Sequence, residues 1–88
     1  MSLRFTWDRN KASRNRQKPG IAFDEAATVF RDPMAVIFDD DAHSEEEYRE
    51  LVIGHSERQR VLIVSFVERG DTVHIISARK ADSEERDI

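Results

Sequence analysis

Residues Val61 to Ala81, VLIVSFVERGDTVHIISARKA, leave a chain of this size little freedom. They read as two strands joined by a tight turn at Glu68-Arg69-Gly70-Asp71. Val, Ile, Phe and Thr fill both arms, and such side chains pack well on a pleated surface. Gly70 before Asp71 supplies the tolerance of positive φ that a short hairpin loop needs. The first arm, Val61 to Val67, is almost unbroken apolar, as expected of a central strand covered on both faces. The second arm alternates. Strict two-residue periodicity puts Val73, Ile75, Ser77 and Arg79 on one face and His74, Ile76 and Ala78 on the other. An arginine therefore reaches the rim of a stiff sheet beside a small serine.

The other segments arrange themselves around this hairpin. Leu3, Phe5 and Trp7 alternate with polar residues as a short strand, with Trp7 as a core anchor. Asp8 is placed to cap a helix running to about Lys18, on which Lys11, Arg14 and Lys18 share one face. Pro19-Gly20 stops it. Phe23, Ala26, Ala27 and Phe30 give a second helix, about Phe23 to Arg31, the apolar stripe that packs on a sheet. Asp32-Pro33 ends it. Ala35 to Phe38 is a short strand. After a helical turn or loop capped by Ser44, Arg49 to Ile53 is another, ended at Gly54. His55 to Gln59 is a polar turn. Asp82 and Glu85 have the spacing of a capping box for a short terminal helix. The reading is a single α+β domain over residues 1–88. An N-terminal strand and two helices precede a mostly antiparallel sheet, and a short C-terminal helix follows.

Composition narrows the chemistry. The 88 residues have no cysteine, which removes disulfides, thiolate zinc sites and thiol nucleophiles. No run approaches the ~20 apolar residues of a membrane-spanning helix, and the N-terminus lacks an apolar export region; a cytoplasmic location without membrane contact is expected. The net charge of −4 hides an asymmetry: the first twenty residues hold six basic side chains against Asp8 alone. A basic patch on an acidic body suits a polyanion. Asp39-Asp40-Asp41 lacks the spaced ligands and bend glycine of a calcium loop, and no metal or other cofactor is expected. What remains is arginine, lysine, histidine and glutamate, a set suited to RNA cleavage by the neighbouring 2′-hydroxyl. That reaction needs a base, cations for the phosphate and an acid for the leaving oxygen. Arg79 either meets a phosphate or closes a rim salt bridge to Glu47 or Glu50.

Several stretches together resemble one family. WDxxKAxxNxxKxG (residues 7–20), FDEAATVFRDP (23–33), HSEEEYR (43–49), Gly54 and ERGDTVHIISARKA (68–81) look like the BrnT toxins of type II toxin–antitoxin systems, which are similar in fold to the RelE group. The resemblance implies a ribonuclease that arrests translation by metal-independent RNA cleavage. It also implies neutralisation by a BrnA-type ribbon-helix-helix antitoxin, which alone touches operator DNA. Carried onto this chain, the catalytic set is Lys18, His43, Glu47, Arg49 and Arg79. Arg49 and Arg79 would stabilise the phosphate, His43 or Glu47 would move protons, and Lys11, Arg14 and Lys18 would hold RNA. Pro19 stands where relatives usually carry histidine. The alternative is a catalytically silent module that serves its antitoxin as co-repressor.

Overall fold

The computed structural model describes residues 3–43 and 47–87, with the side chains of all of these but His43 and Asp87. A five-stranded sheet forms its frame. In chain order the strands are β1 (Arg4–Trp7), β2 (Val36–Asp39), β3 (Glu50–His55), β4 (Val61–Arg69) and β5 (Thr72–Lys80), and they lie in the order β1-β5-β4-β3-β2. Helices α1 (Arg9–Gln17) and α2 (Phe23–Thr28) fall between β1 and β2. The β2–β3, β3–β4 and β4–β5 pairs are antiparallel, and β1 adds to β5 in parallel.

The expected hairpin forms as β4 and β5, closed by Gly70 at φ +61 and Asp71 between the paired Arg69 and Thr72. Leu62 to Val67 are all buried, as a strand covered on both faces requires. Asp8 caps α1, its Oδ1 accepting the Lys11 N–H at 3.0 Å. The second helix is α-helical only to Thr28 and tightens into a 3₁₀ turn, Val29–Arg31, a common way for a last turn to close. Asp32 then takes the Met34 N–H at 2.9 Å and the His55 N–H at 2.7 Å, pinning the end of β3. Ser44 to Glu46, the expected start of a capped turn, lie outside the described residues.

One face of the sheet carries the core. Ile21, Phe23, Ala26 and Val29 pack on Val52, Leu62, Val64, Phe66, Val73, Ile75 and Ala78. Phe30 joins Phe5 and Phe66, with ring centroids 5.3 and 4.9 Å away, and Trp7 meets Phe23 edge-on at 6.0 Å. Gly54 does not end β3 but lies within it. A Cβ there would stand 2.9 Å from Ala35 Cβ and 3.1 Å from Val29 Cγ1, so the 3₁₀ turn sits directly on bare backbone. Glu25, buried at 5% exposure, accepts from Ser56 Oγ at 2.6 Å and meets Arg60 with both carboxylate oxygens.

The simple alternation expected of β5 fails in its middle. Phe66 pairs with Ile75 and Ser65 with Ser77, so Ile76 is an extra residue, a β-bulge. Beyond it the phase reverses. Val73, Ile75 and Ala78 face the core, while His74, Ser77 and Arg79 face the other way. Arg79 thus shares its face with His74 rather than with Val73 and Ile75.

Candidate functional site

The face opposite the helices holds a cleft of about 580 Å³, and the bulge aims Arg79 at it. Its floor is Leu51, Ile63 and Ile76 with the hydroxyl-bearing Ser65 and Ser77, the register partners at the bulge. Around this apolar floor stand, among the described residues, three cations and one carboxylate: Lys18 from the end of α1, Arg49 ahead of β3, Arg79 near the end of β5, and Asp40 after β2. Lys18 and Asp40 sit just past the ends of α1 and β2. Lys18 has left the helix, with φ −155 and ψ 116, while its N–H still bonds the Arg14 carbonyl at 2.9 Å. Gly20, at φ +92, turns the chain back beneath it. Asp40 gives its N–H to the Arg49 carbonyl at 2.9 Å, which holds the two rims together.

Arg79 does not pair with Glu47 or Glu50. Its fork meets the carboxylate of Glu85 in two parallel bonds, Nη1 to Oε1 at 2.8 Å and Nη2 to Oε2 at 2.7 Å. Glu85 is aimed by the expected capping box: Asp82 N–H to Glu85 Oε1 at 2.9 Å and Glu85 N–H to Asp82 Oδ1 at 2.8 Å. The segment behind it is a single 3₁₀ turn, Glu85–Asp87, rather than a helix. The Arg79 guanidinium, followed by the Asp82 backbone bond, holds the Glu85 carboxyl down at about 2, from an ordinary 4.5. The Arg79 side chain nonetheless remains 52% exposed.

The other anticipated residues divide. Lys18, Arg49 and Arg79 come together around one cleft. Glu47 goes elsewhere: it takes the fork of Arg69, Nε to Oε2 at 2.9 Å and Nη2 to Oε1 at 2.5 Å. Arg69 lies six residues along β4 from Ile63, the register partner of Arg79, or about 20 Å at strand spacing. Hydrogen bonding to Arg69 keeps the Glu47 carboxyl below the usual glutamate range, so it stays ionised at neutral pH. Lys11 and Arg14 are exposed on α1 and do not line the cleft. The backbone of His43 closes the 3₁₀ turn Asp41–His43, just after Asp40, and its side chain is outside the described residues. Pro19 lines the cleft as an apolar ring, so no titratable group comes from that position. His74 is hydrogen-bonded through Nδ1 with Thr6 Oγ1 at 2.8 Å, and burial, then Arg69, lowers its pKa. Asp40, Asn15 and Glu85 are cleft or rim residues that sequence reasoning did not single out. The one signal for Glu85 was its capping-box spacing.

A family model described as "Ribonuclease toxin, BrnT, of type II toxin-antitoxin system" matches residues 7–85. No curated protein matches the chain. Among solved structures, the 1.1 Å crystal structure of the Brucella abortus ribonuclease toxin BrnT is similar, with a TM-score of 0.72 and 24% identity. The similarity covers 93% of this chain and 100% of that one, and at this identity it speaks for the fold.

Proposed function

The chain belongs to the BrnT ribonuclease toxins of type II toxin–antitoxin systems, and from that premise we propose that it cleaves RNA without a metal in the cleft between Lys18, Arg49 and Arg79. The observation that carries this reading is the convergence of three cations from three separate elements on one apolar-floored cleft. Family membership implies an RNA target and an antitoxin partner.

The chemistry follows from the donor set. The ribose 2′-oxygen attacks phosphorus as its proton passes to Asp40, the carboxylate among the described lining residues. The bond from phosphorus to the 5′-oxygen then breaks, leaving a 2′,3′-cyclic phosphate. Charge growing on the non-bridging oxygens is met by Arg79, whose planar fork fits two of them, and by Arg49. The 5′-oxygen takes its proton from the general acid, the role that the family resemblance gives to His43. Glu47 is left out, because its pairing with Arg69 keeps it ionised and away from Arg79. Lys18 holds the flanking phosphate as a point charge. Glu85 occupies the fork that the scissile phosphate needs, so RNA binding exchanges one anion for another.

The antitoxin, of the BrnA ribbon-helix-helix type, covers the other open feature, the edge strand β2. Val36, Ile37 and Phe38 there are 40%, 51% and 36% exposed, and Met34 beside them is 79% exposed. An apolar strand edge takes a partner segment through main-chain bonds and side-chain contacts. The antitoxin, not this chain, would carry the contact with operator DNA.

The test is cleavage of a mixed-sequence transcript by the purified chain in excess EDTA. Products with cyclic phosphate ends, lost in Arg79→Ala, support the reading. Loss of cleavage with EDTA removes metal independence, and wild-type cleavage by Arg79→Ala removes the site. The occupied Arg79 fork also favours a second reading, a silent co-repressor. That reading predicts antitoxin binding with no cleavage from the wild-type chain or from a Glu85 variant that frees the fork.

A further inference from the structure

Helix α1 is polar on nearly every side, and Asn15 is its one buried residue, at 8% exposure. The Asn15 amide is fully used. Nδ2 donates to the Ile21 carbonyl at 2.8 Å and to the Ala78 carbonyl at 2.9 Å, and Oδ1 accepts the Ala78 N–H at 3.3 Å. A primary amide that offers a donor and an acceptor to one residue's C=O and N–H does what a neighbouring strand does. A substitute is needed here. β1 accompanies β5 only as far as the Trp7–Ile75 pair, and the chain then leaves through Asp8 into α1. β5 runs on to Lys80 with that edge open, and Asn15 fills it at Ala78. The main-chain carbonyl of Asn15 takes the N–H groups of Gly20 at 2.9 Å and Ile21 at 3.1 Å. One residue therefore fastens the end of α1, the turn that carries Lys18, and the strand position next to Arg79.

We propose that Asn15 is a positioning residue for RNA cleavage, fixing the Lys18 and Arg79 cations at one spacing by clamping the Ala78 peptide. The inference rests on the reading of the cleft given above. Asn15 acts through its neighbours: Arg79 is one residue beyond the clamped peptide, past the bulge where the ladder is already interrupted. A displacement of about 1 Å in a phosphate-gripping group can cost about 100-fold in rate. A role confined to holding the fold together would instead leave each properly folded molecule fully active.

A double-mutant cycle separates the two roles. Single-turnover cleavage of a mixed-sequence transcript is measured for wild type, Asn15→Ala, Arg79→Ala and the double variant, each corrected for its folded fraction. Asn15→Ala is expected to lower the rate at saturating RNA about 10- to 100-fold, with a much smaller change in KM. The double variant should lose far less than the product of the two single losses, because one of the two cations that the clamp spaces is already gone. Asn15→Asp supplies a second readout that does not require the alanine variant to fold. Its ionised carboxylate repels the Ala78 carbonyl, while its protonated form donates to that carbonyl and still accepts the Ala78 N–H. Its rate relative to wild type should therefore rise as pH falls through the titration of a buried carboxyl. Wild-type rates for Asn15→Ala, losses that multiply in the double variant, or an Asn15→Asp ratio that is flat with pH each overturn the proposal. If Arg79→Ala alone fails to cleave, those results spare the cleft; an Arg79→Ala chain that cleaves like wild type overturns the cleft and the proposal together.

Discussion

The two faces of the sheet each hold an arginine–glutamate fork, and the forks differ in what surrounds them. On the helix-covered face Glu25 is buried, bonded to Ser56 Oγ and to both arms of Arg60, and the Arg60 bond above all lowers its carboxyl pKa. On the open face Arg79 and Glu85 meet with the same two-bond geometry, but half of the Arg79 side chain is exposed. Burial turns the first pair into structure, because neither partner can be removed without stranding a charge. Exposure leaves the second replaceable, because water or another anion can take the place of the Glu85 carboxylate on Arg79. The geometry of a salt bridge thus says little about its role until its burial is known.

Breaking the buried fork should have the largest effect. Glu25→Ala is expected to lower stability by about 3 kcal/mol, which for a domain of this size is a fall in Tm of more than about 10 °C by calorimetry. Its cleavage rate per folded molecule should not change. Breaking the exposed fork should do the reverse. Arg79→Ala should lower cleavage by about 100-fold or more while the melting temperature barely moves. If both variants lose stability equally, the contrast between the faces is wrong.

The sequence announced the covered face more fully than the open one. The Asp8 cap, the Gly70 turn, the stripe of Phe23, Ala26 and Phe30 and the anchoring of Trp7 all follow from local chemistry, and all appear. The open face depends on Ile76, an isoleucine among isoleucines, and nothing in its side chain marks it as the extra residue of a bulge. Because strand periodicity is two, that single insertion reversed the facing of everything after it. It also put His74 on the side of Arg79. Asn15 was visible as part of a motif, but its partner Ala78 lies 63 residues away, beyond any local rule. Glu85 was legible as a helix cap and illegible as the partner of Arg79, since the pair forms only once the tail folds back across the strand end.

Two smaller effects sharpen the comparison. Gly54→Val forces a side chain against Ala35 and Val29 on the covered face and should cost about 2 kcal/mol in urea unfolding, with cleavage untouched. Glu85→Gln works on the open face and should lower KM for RNA only about two- to five-fold at low salt, the scale of an exposed pair. The same variant gives a pH signature. The Glu85 carboxyl is depressed from 4.5 to about 2 in the folded chain. Its contribution is therefore fully present above 4.5 and is lost as pH falls towards 2. The difference in thermal stability between wild type and Glu85→Gln, small for an exposed pair, should shrink across that window, and a difference that persists below it would show that the carboxylate charge is not the cause.

The most direct view of the open face is the side-chain Nε–H resonance of Arg79, followed by NMR as a 2′-O-methyl RNA oligonucleotide that cannot be cleaved is added. A saturable shift of that resonance, with the carboxyl signal of Glu85 moving in parallel as its partner is exchanged, is the predicted result. An Arg79 signal that stays in place while RNA shifts resonances around Arg69 and Lys11 instead would contradict the account.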